Sequence, residues 1–123
     1  MEFNIRERTR KFAVRVIKLV KKFPSDVAGQ ELGRQLIRSG TSIGANLEEA
    51  DAASSRKDFF YKVTISYKEA RESEYWLGII AEAKVLNNQS NVQEANALQS
   101  EAIELSKILY SIINPKKRIK NDE

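Results

Sequence analysis

Arg38, Ser42, Asn46 and Glu49 recur at i, i+4, i+8 and i+11, which lays one polar line along a single helical face. Glu69, Arg71 and Glu72 cluster later in the chain. Carboxylates facing each other across two helices are the raw material of a di-metal centre or of paired acid–base work. Helical di-metal bundles take ligands from Glu-x-x-His motifs, however, and this chain has no histidine. It also has no cysteine, which removes thiolate nucleophiles, thiolate metal sites and disulfides together. Ser39, Thr41, Ser42 and Ser66 have no candidate base to activate them. No glycine-rich phosphate loop follows a strand pattern. The expectation is therefore a chain that is not an enzyme and holds no metal or cofactor. Arg38, Ser42, Asn46, Glu49, Glu69 and Glu72 are expected instead to form an interhelical hydrogen-bond network. In it Arg38 or Asn46 meets Glu72, and the contact sets helix register.

A second pattern is basic. Arg8, Lys11, Arg15, Lys18 and Lys22 recur at i, i+3, i+7, i+10 and i+14, a stripe along one helix. Residues 1–22 carry eight Lys/Arg against two acids, residues 25–53 two against five, and the last nine residues four against two. The net charge of +4 is thus concentrated at the two ends of the chain. Cations spaced along one face neutralise phosphates and supply sequence-independent, salt-dependent affinity for RNA or DNA. The same face also fits a merely solvated helix.

The elements that must hold these side chains are helical throughout. Apolar residues at Ile5, Phe12, Ala13, Val16, Leu19, Val20 and Phe23 predict a helix over 5–22, with Asn4 and Glu7 as a capping box. Phe23-Pro24-Ser25-Asp26 ends it. Leu32, Leu36, Ile37, Ile43, Leu47 and Ala50 predict a second helix over 27–53. Gly29, Gly33, Gly40 and Gly44 weaken that helix by about 0.8–1 kcal/mol each relative to alanine, and let a neighbour approach closely. Gly40 marks its weakest point. Ser55 and Asp58 form a capping box that opens a third helix over 56–86. Asn91 with Glu94 opens a fourth over 92–113, with Val92, Ala95, Leu98, Ala102, Leu105, Leu109 and Ile112 as its seam.

Asn114-Pro115 stops the fourth helix, and the remainder to residue 123 reads as a basic flexible tail. With connections of about four residues or fewer, the fold class is all-α, an antiparallel up-down-up-down four-helix bundle over residues 1–114. That topology gathers Arg6, Arg8, Arg10, Arg56, Lys57, Lys116, Lys117, Arg118 and Lys120 around one pole. Tyr75 and Trp76 are adjacent and point about 100° apart, so one enters the core while the other faces outward. With Phe59, Phe60, Tyr61 and Tyr67 they exceed what one core stripe hides, which points to an oligomer interface. No apolar run suits a membrane span or a signal peptide, so a cytoplasmic chain with no membrane partner is expected.

Several of these residues also carry a family likeness. Phe12, Val16 and Leu19 before Phe23-Pro24, then Leu32-x-x-Gln35-x-x-Arg38, are part of it. Thr41-Ser42-Ile43-x-Ala45-Asn46-Leu47-x-Glu49, Ser55-x-x-Asp58-Phe59, and Lys68-Glu69-Ala70-x-Glu72-x-x-Tyr75-Trp76-Leu77 complete it. Over residues 8–86 this constellation resembles the four-helix-bundle proteins encoded in intervening sequences of bacterial 23S rRNA genes, the S23-type proteins; the last helix matches only as a helix. Ala50 stands where that family usually has glycine, and Gly29 and Gly33 make the start of the second helix weaker than is typical.

The resemblance implies a homopentamer with a basic surface. Its fold is similar to the accessory variability protein of diversity-generating retroelements, which associates with a reverse transcriptase and nucleic acid. The leading expectation is an oligomeric bundle that binds RNA or DNA through Arg8, Lys11, Arg15, Lys18 and Lys22, with Arg56, Lys57, Lys116, Lys117 and Arg118 adding to the patch. The alternative is a scaffold that docks a partner protein such as a reverse transcriptase.

Overall fold

Three of the four helices begin where a short polar side chain accepts a hydrogen bond from an amide that the helix leaves unpaired. In the computed structural model, which describes residues 3–115, the helices are α1 (Phe3–Val20), α2 (Val27–Asp51), α3 (Arg56–Glu82) and α4 (Gln89–Ile113). Asp26 caps α2 by accepting from the Gly29 amide at 2.8 Å. Ser55 caps α3 by accepting from the Asp58 amide at 3.0 Å, as its sequence motif predicts. Asn88 caps α4 by accepting from the amides of Ser90 and Asn91.

Two expected capping boxes are not used. Asn4 lies inside α1, which has already begun at Phe3, so it has no free helix start to cap. Asn91 is pre-empted by Asn88, which reaches two amides and starts α4 a turn earlier. The Glu94 side chain, freed from that box, turns to Arg15.

α3 stops at Glu82, short of the expected Leu86. Lys84 takes a left-handed conformation, φ 54°, while the Val85 amide bonds to the Ile80 carbonyl at 3.2 Å and the Lys84 amide to Ala81 at 3.2 Å. These two bonds make a Schellman stop, in which the left-handed position is usually glycine. A lysine there carries no sequence signal for a helix end, which is why the helix reads through. Left-handed backbone costs a residue with a Cβ about 1–2 kcal/mol, part of which glycine gives back through its looser unfolded chain. Lys84→Gly is therefore expected to raise stability by about 0.5–1 kcal/mol, read as a higher urea midpoint at unchanged slope.

Neighbouring helices pack in the cycle α1–α2–α3–α4–α1, and the backbones of the two diagonal pairs stay further apart. This is the up-down-up-down bundle. The connections over 21–26 and 83–88 are six residues each, longer than expected, and the one over 52–55 is four. Phe12, Val16, Leu36, Ile43, Leu47, Val63, Leu77, Leu98 and Leu105 meet in one closed core.

α2 runs unbroken through Gly40, because α1 lies against its glycines. A Cβ added at Gly33, Gly40 or Gly44 would meet Val20 at 2.9 Å, Val16 at 3.1 Å and Thr9 at 3.2 Å respectively. The glycines that weaken the isolated helix thus let α1 approach where a methyl group would hold it off.

Candidate functional site

The polar line on α2 divides into three local arrangements. Arg38 bridges to α3, pairing with Glu69 at 3.1 Å and with Glu72. Glu72 also accepts from the Trp76 indole at 3.0 Å, so one carboxylate ties a second helix and an aromatic ring together. Glu49 accepts from Lys62 of α3 at 2.9 Å. Asn46, by contrast, donates to the Ser42 carbonyl at 2.8 Å, and Ser42 donates to the Arg38 carbonyl. Both are spent on their own helix, one turn back, so Arg38 alone makes the expected contact with Glu72.

Beneath this layer lies a polar pair that composition did not disclose. The Ser73 hydroxyl donates to Ser39 at 2.9 Å, and Ser66 donates to the Ile43 carbonyl at 2.7 Å, all fully buried. The available signal was the core spacing of Ser66 and Ser73 among Val63, Ala70 and Leu77 on α3. Two small hydroxyls that satisfy each other hold α2 and α3 close without an orphaned polar atom. Among the described residues no three carboxylates converge as a metal site.

The basic stripe on α1 also divides. Arg8 forks onto Glu101 of α4 at 2.7 and 3.1 Å, and Arg15 forks onto Glu94 at 2.8 and 3.0 Å. Hydrogen bonding by these carboxylates is the main cause that holds both guanidiniums above their ordinary pKa. Lys11 makes only a long 3.8 Å contact with Glu7, one turn back on its own helix. Lys18 and Lys22 are exposed, and among the described residues they form no ion pair. Helical geometry puts Lys11 and Lys18 on one ridge, about 10 Å apart along the axis, on the side of α1 that turns toward α4, and Lys22 follows in the turn just beyond the helix end at Val20. Lys22 lies near enough to Glu94 for its charge to be felt there.

At the pole, Arg6 is held by Glu48 at 2.6 Å and Asp51 at 3.0 Å, which binds the start of α1 to the end of α2. Arg56 lies over the Phe60 ring, 5.4 Å from its centre, and Lys57 is exposed at the α2–α3 corner. Lys116, Lys117, Arg118 and Lys120 lie outside the described residues. Tyr75 is 60% exposed while Trp76 packs against the core, the division expected of that adjacent pair. No helix of the described residues is long and apolar enough to cross a membrane.

The Arg15–Glu94 fork makes the seam between α1 and α4 sensitive to acid. The Glu94 carboxyl lies below its ordinary pKa, chiefly because Arg15 hydrogen-bonds it, with partial burial opposing. A depressed carboxyl contributes stability above its unfolded value and loses it as pH falls through the folded one. Between about pH 5 and pH 3 the wild-type chain should therefore lose more stability than Glu94→Gln does. The difference for so exposed a pair is within about 1 kcal/mol, measured as urea midpoints along a pH series.

The likeness noted on motifs in the first three helices extends further. A family model described as 23S rRNA-intervening sequence protein matches residues 1–111, which takes in most of α4. A crystal structure at 1.70 Å of a protein of unknown function from the S23 ribosomal protein family of Bacteroides thetaiotaomicron is 36% identical in sequence. It superposes with a TM-score of 0.76, over 89% of this chain and 98% of that one. No curated protein matches the chain. With four packed helices, the α2–α3 motifs in their places and the family model satisfied almost end to end, this chain belongs to the 23S rRNA-intervening sequence protein family.

Proposed function

We propose that the chain is a non-enzymatic, oligomeric helical bundle that binds the phosphate backbone of RNA or DNA in the cytoplasm. The observation that carries this reading is the ridge of Lys11, Lys18 and Lys22. These are exposed cations, two on α1 and one in the turn that follows it, and among the described residues none forms an ion pair with another helix. Lys57 and Arg56 add positive charge at the other end of the bundle, where α1 begins, and Arg8 and Arg15 lie beside the ridge in their forks with α4. Flexible lysines contact phosphates without reading bases, so affinity should fall steeply with salt and vary little with sequence. Family likeness adds the expectation of a homopentamer, which would set several ridges around one assembly and multiply weak contacts.

A gel-shift or fluorescence-anisotropy titration of the full chain with structured RNA and with duplex DNA tests the proposal. Binding at about 50 mM salt that weakens log-linearly toward about 200 mM supports it. No binding of either nucleic acid at the lower salt overturns it. A protein partner that remains bound after nuclease treatment would favour a docking scaffold instead.

A further inference from the structure

We infer that the outer ridge of α3 is a separate docking surface for single-stranded nucleic acid. Unpaired bases stack there on Tyr61 and Tyr75, while Lys57, Lys68 and Arg71 meet the phosphates. The ridge is distinct from the lysines of α1, because α1 and α3 stand diagonally across the ring of helices.

Positions 57, 61, 68 and 75 return to one side of a helix with about 3.6 residues per turn, and Arg71 lies on its flank. All five side chains are exposed, Tyr61 by 61% and Tyr75 by 60%. At about 1.5 Å rise per residue the two rings stand about 21 Å apart along the axis, with Lys68 halfway between them. Among the described residues Lys57 and Lys68 form no ion pair. Arg71 has only the long 3.7 Å contact with Glu74, and it donates to the Tyr67 hydroxyl at 3.3 Å. Lys62, bonded to Glu49, stands 5.9 Å from the centre of the Tyr61 ring.

Tyr75 also opens onto a hollow. One turn further on, Gly78 leaves a largely polar groove of about 290 Å³ between α3 and α4, lined by Arg71, Glu74, Tyr75, Glu82 and Gln99. A Cβ on Gly78 would stand 3.1 Å from the Gln99 amide nitrogen, so a larger residue would fill the space. Among the described residues that amide makes no hydrogen bond. A base seated on the Tyr75 ring would present its edge to Gln99, which both donates and accepts, and to carboxylates that accept from exocyclic amino groups. Glu74 and Glu82 repel phosphates, so the backbone of the strand is expected on the side of Lys68 and Arg71.

The chemistry selects a strand with unpaired bases. A duplex hides the faces of its bases, whereas every unpaired base has a π-face to lay on an aromatic ring, and cations between the rings hold the backbone. A second copy of the chain fits this ridge less well. Lys57 and Lys68 interrupt it, and lysine is depleted where proteins meet.

Fluorescence anisotropy of the full chain tests this with labelled oligo(dT) and oligo(U) of about 12 nucleotides, at about 50 mM salt, beside the same titration with duplex DNA. The wild-type chain should bind both single strands. Tyr61→Ala and Tyr75→Ala should each weaken that binding about tenfold and leave duplex affinity unchanged. Tyr61→Phe and Tyr75→Phe should bind like the wild type, since the ring stacks without its hydroxyl. Unchanged helical circular dichroism checks the fold, and Tyr61→Leu or Tyr75→Leu replaces an alanine variant that fails it. A wild-type chain that binds duplex but neither single strand overturns this inference and leaves the reading of the α1 lysines standing. Binding of single strands alone, weakened by the alanine variants, supports it and counts against that reading. Alanine variants that bind single strands as tightly as the wild type overturn the stacking, as do phenylalanine variants that lose binding with them. Alanine variants that keep their affinity but lose mass in light scattering overturn it in favour of a contact between copies.

Discussion

Reversing two charges at the end of α1 and in the turn that follows it, Lys18→Glu with Lys22→Glu, is expected to weaken binding to duplex DNA about 60-fold near 0.1 M salt. The magnitude follows from counterion release. Each phosphate contact on duplex DNA contributes about 0.9 to the slope of log affinity against log salt, so two lost contacts remove about 1.8 decades at that salt. The slope itself should fall by about 2. The loss should be similar for unrelated sequences, because flexible exposed lysines meet phosphates and not base edges. Fluorescence anisotropy over a salt series reads both quantities, and a variant with unchanged affinity and slope would remove the ridge from the binding surface. Glu94→Gln supplies a control of opposite sign. It removes a negative charge beside the ridge and releases Arg15 from its fork, so binding should tighten about 5–10-fold, one added phosphate contact.

Gly29→Ala is expected to destabilise the chain by about 2 kcal/mol, although alanine is the better helix former by about 1 kcal/mol. Gly29 is in the first turn of α2, buried under the connection from α1. A Cβ there would stand 2.0 Å from the Pro24 carbonyl oxygen and 2.9 Å from the Pro24 ring. A backbone oxygen has no rotamer to retreat into, so the turn over 23–26 must move, and with it the Asp26 cap that accepts from the Gly29 amide. The clash and the loosened cap together exceed the propensity gain. In a chain of this size the melting temperature should fall by roughly 8 °C, measured by circular dichroism. A variant more stable than wild type would show that this turn repacks freely.

These two cases mark how far residue pattern reaches. The stripe on α1 was legible because charge and spacing are properties of one helix, but which cations stay available was not. Arg8 and Arg15 find Glu101 and Glu94 about ninety and eighty residues away, separations no local pattern encodes. The glycines of α2 were legible as weak helix formers. Their benefit depends on Pro24, Val20, Val16 and Thr9 arriving from another part of the chain. The end of α3 was missed because Lys84 takes a conformation usually given to glycine. The start of α4 was missed because two asparagines compete for one cap, and Asn88 reaches the amides first.

The stretch that first suggested chemistry shows the same division. Without histidine or cysteine, the residue types alone argued against a catalytic centre in Arg38, Ser42, Asn46, Glu49, Glu69 and Glu72. Periodicity and turn residues alone determined four amphipathic helices, their order and their antiparallel packing, because helical repeat and short connections leave few alternatives. The tertiary structure decided the partners: Arg38 with Glu69 and Glu72, Ser39 with Ser73, and Asn46 turned back onto its own helix. Hydrogen bonds and ion pairs act over a few ångströms. Which polar groups come within that range is settled by how the apolar faces interlock, and that register is written nowhere in the local sequence.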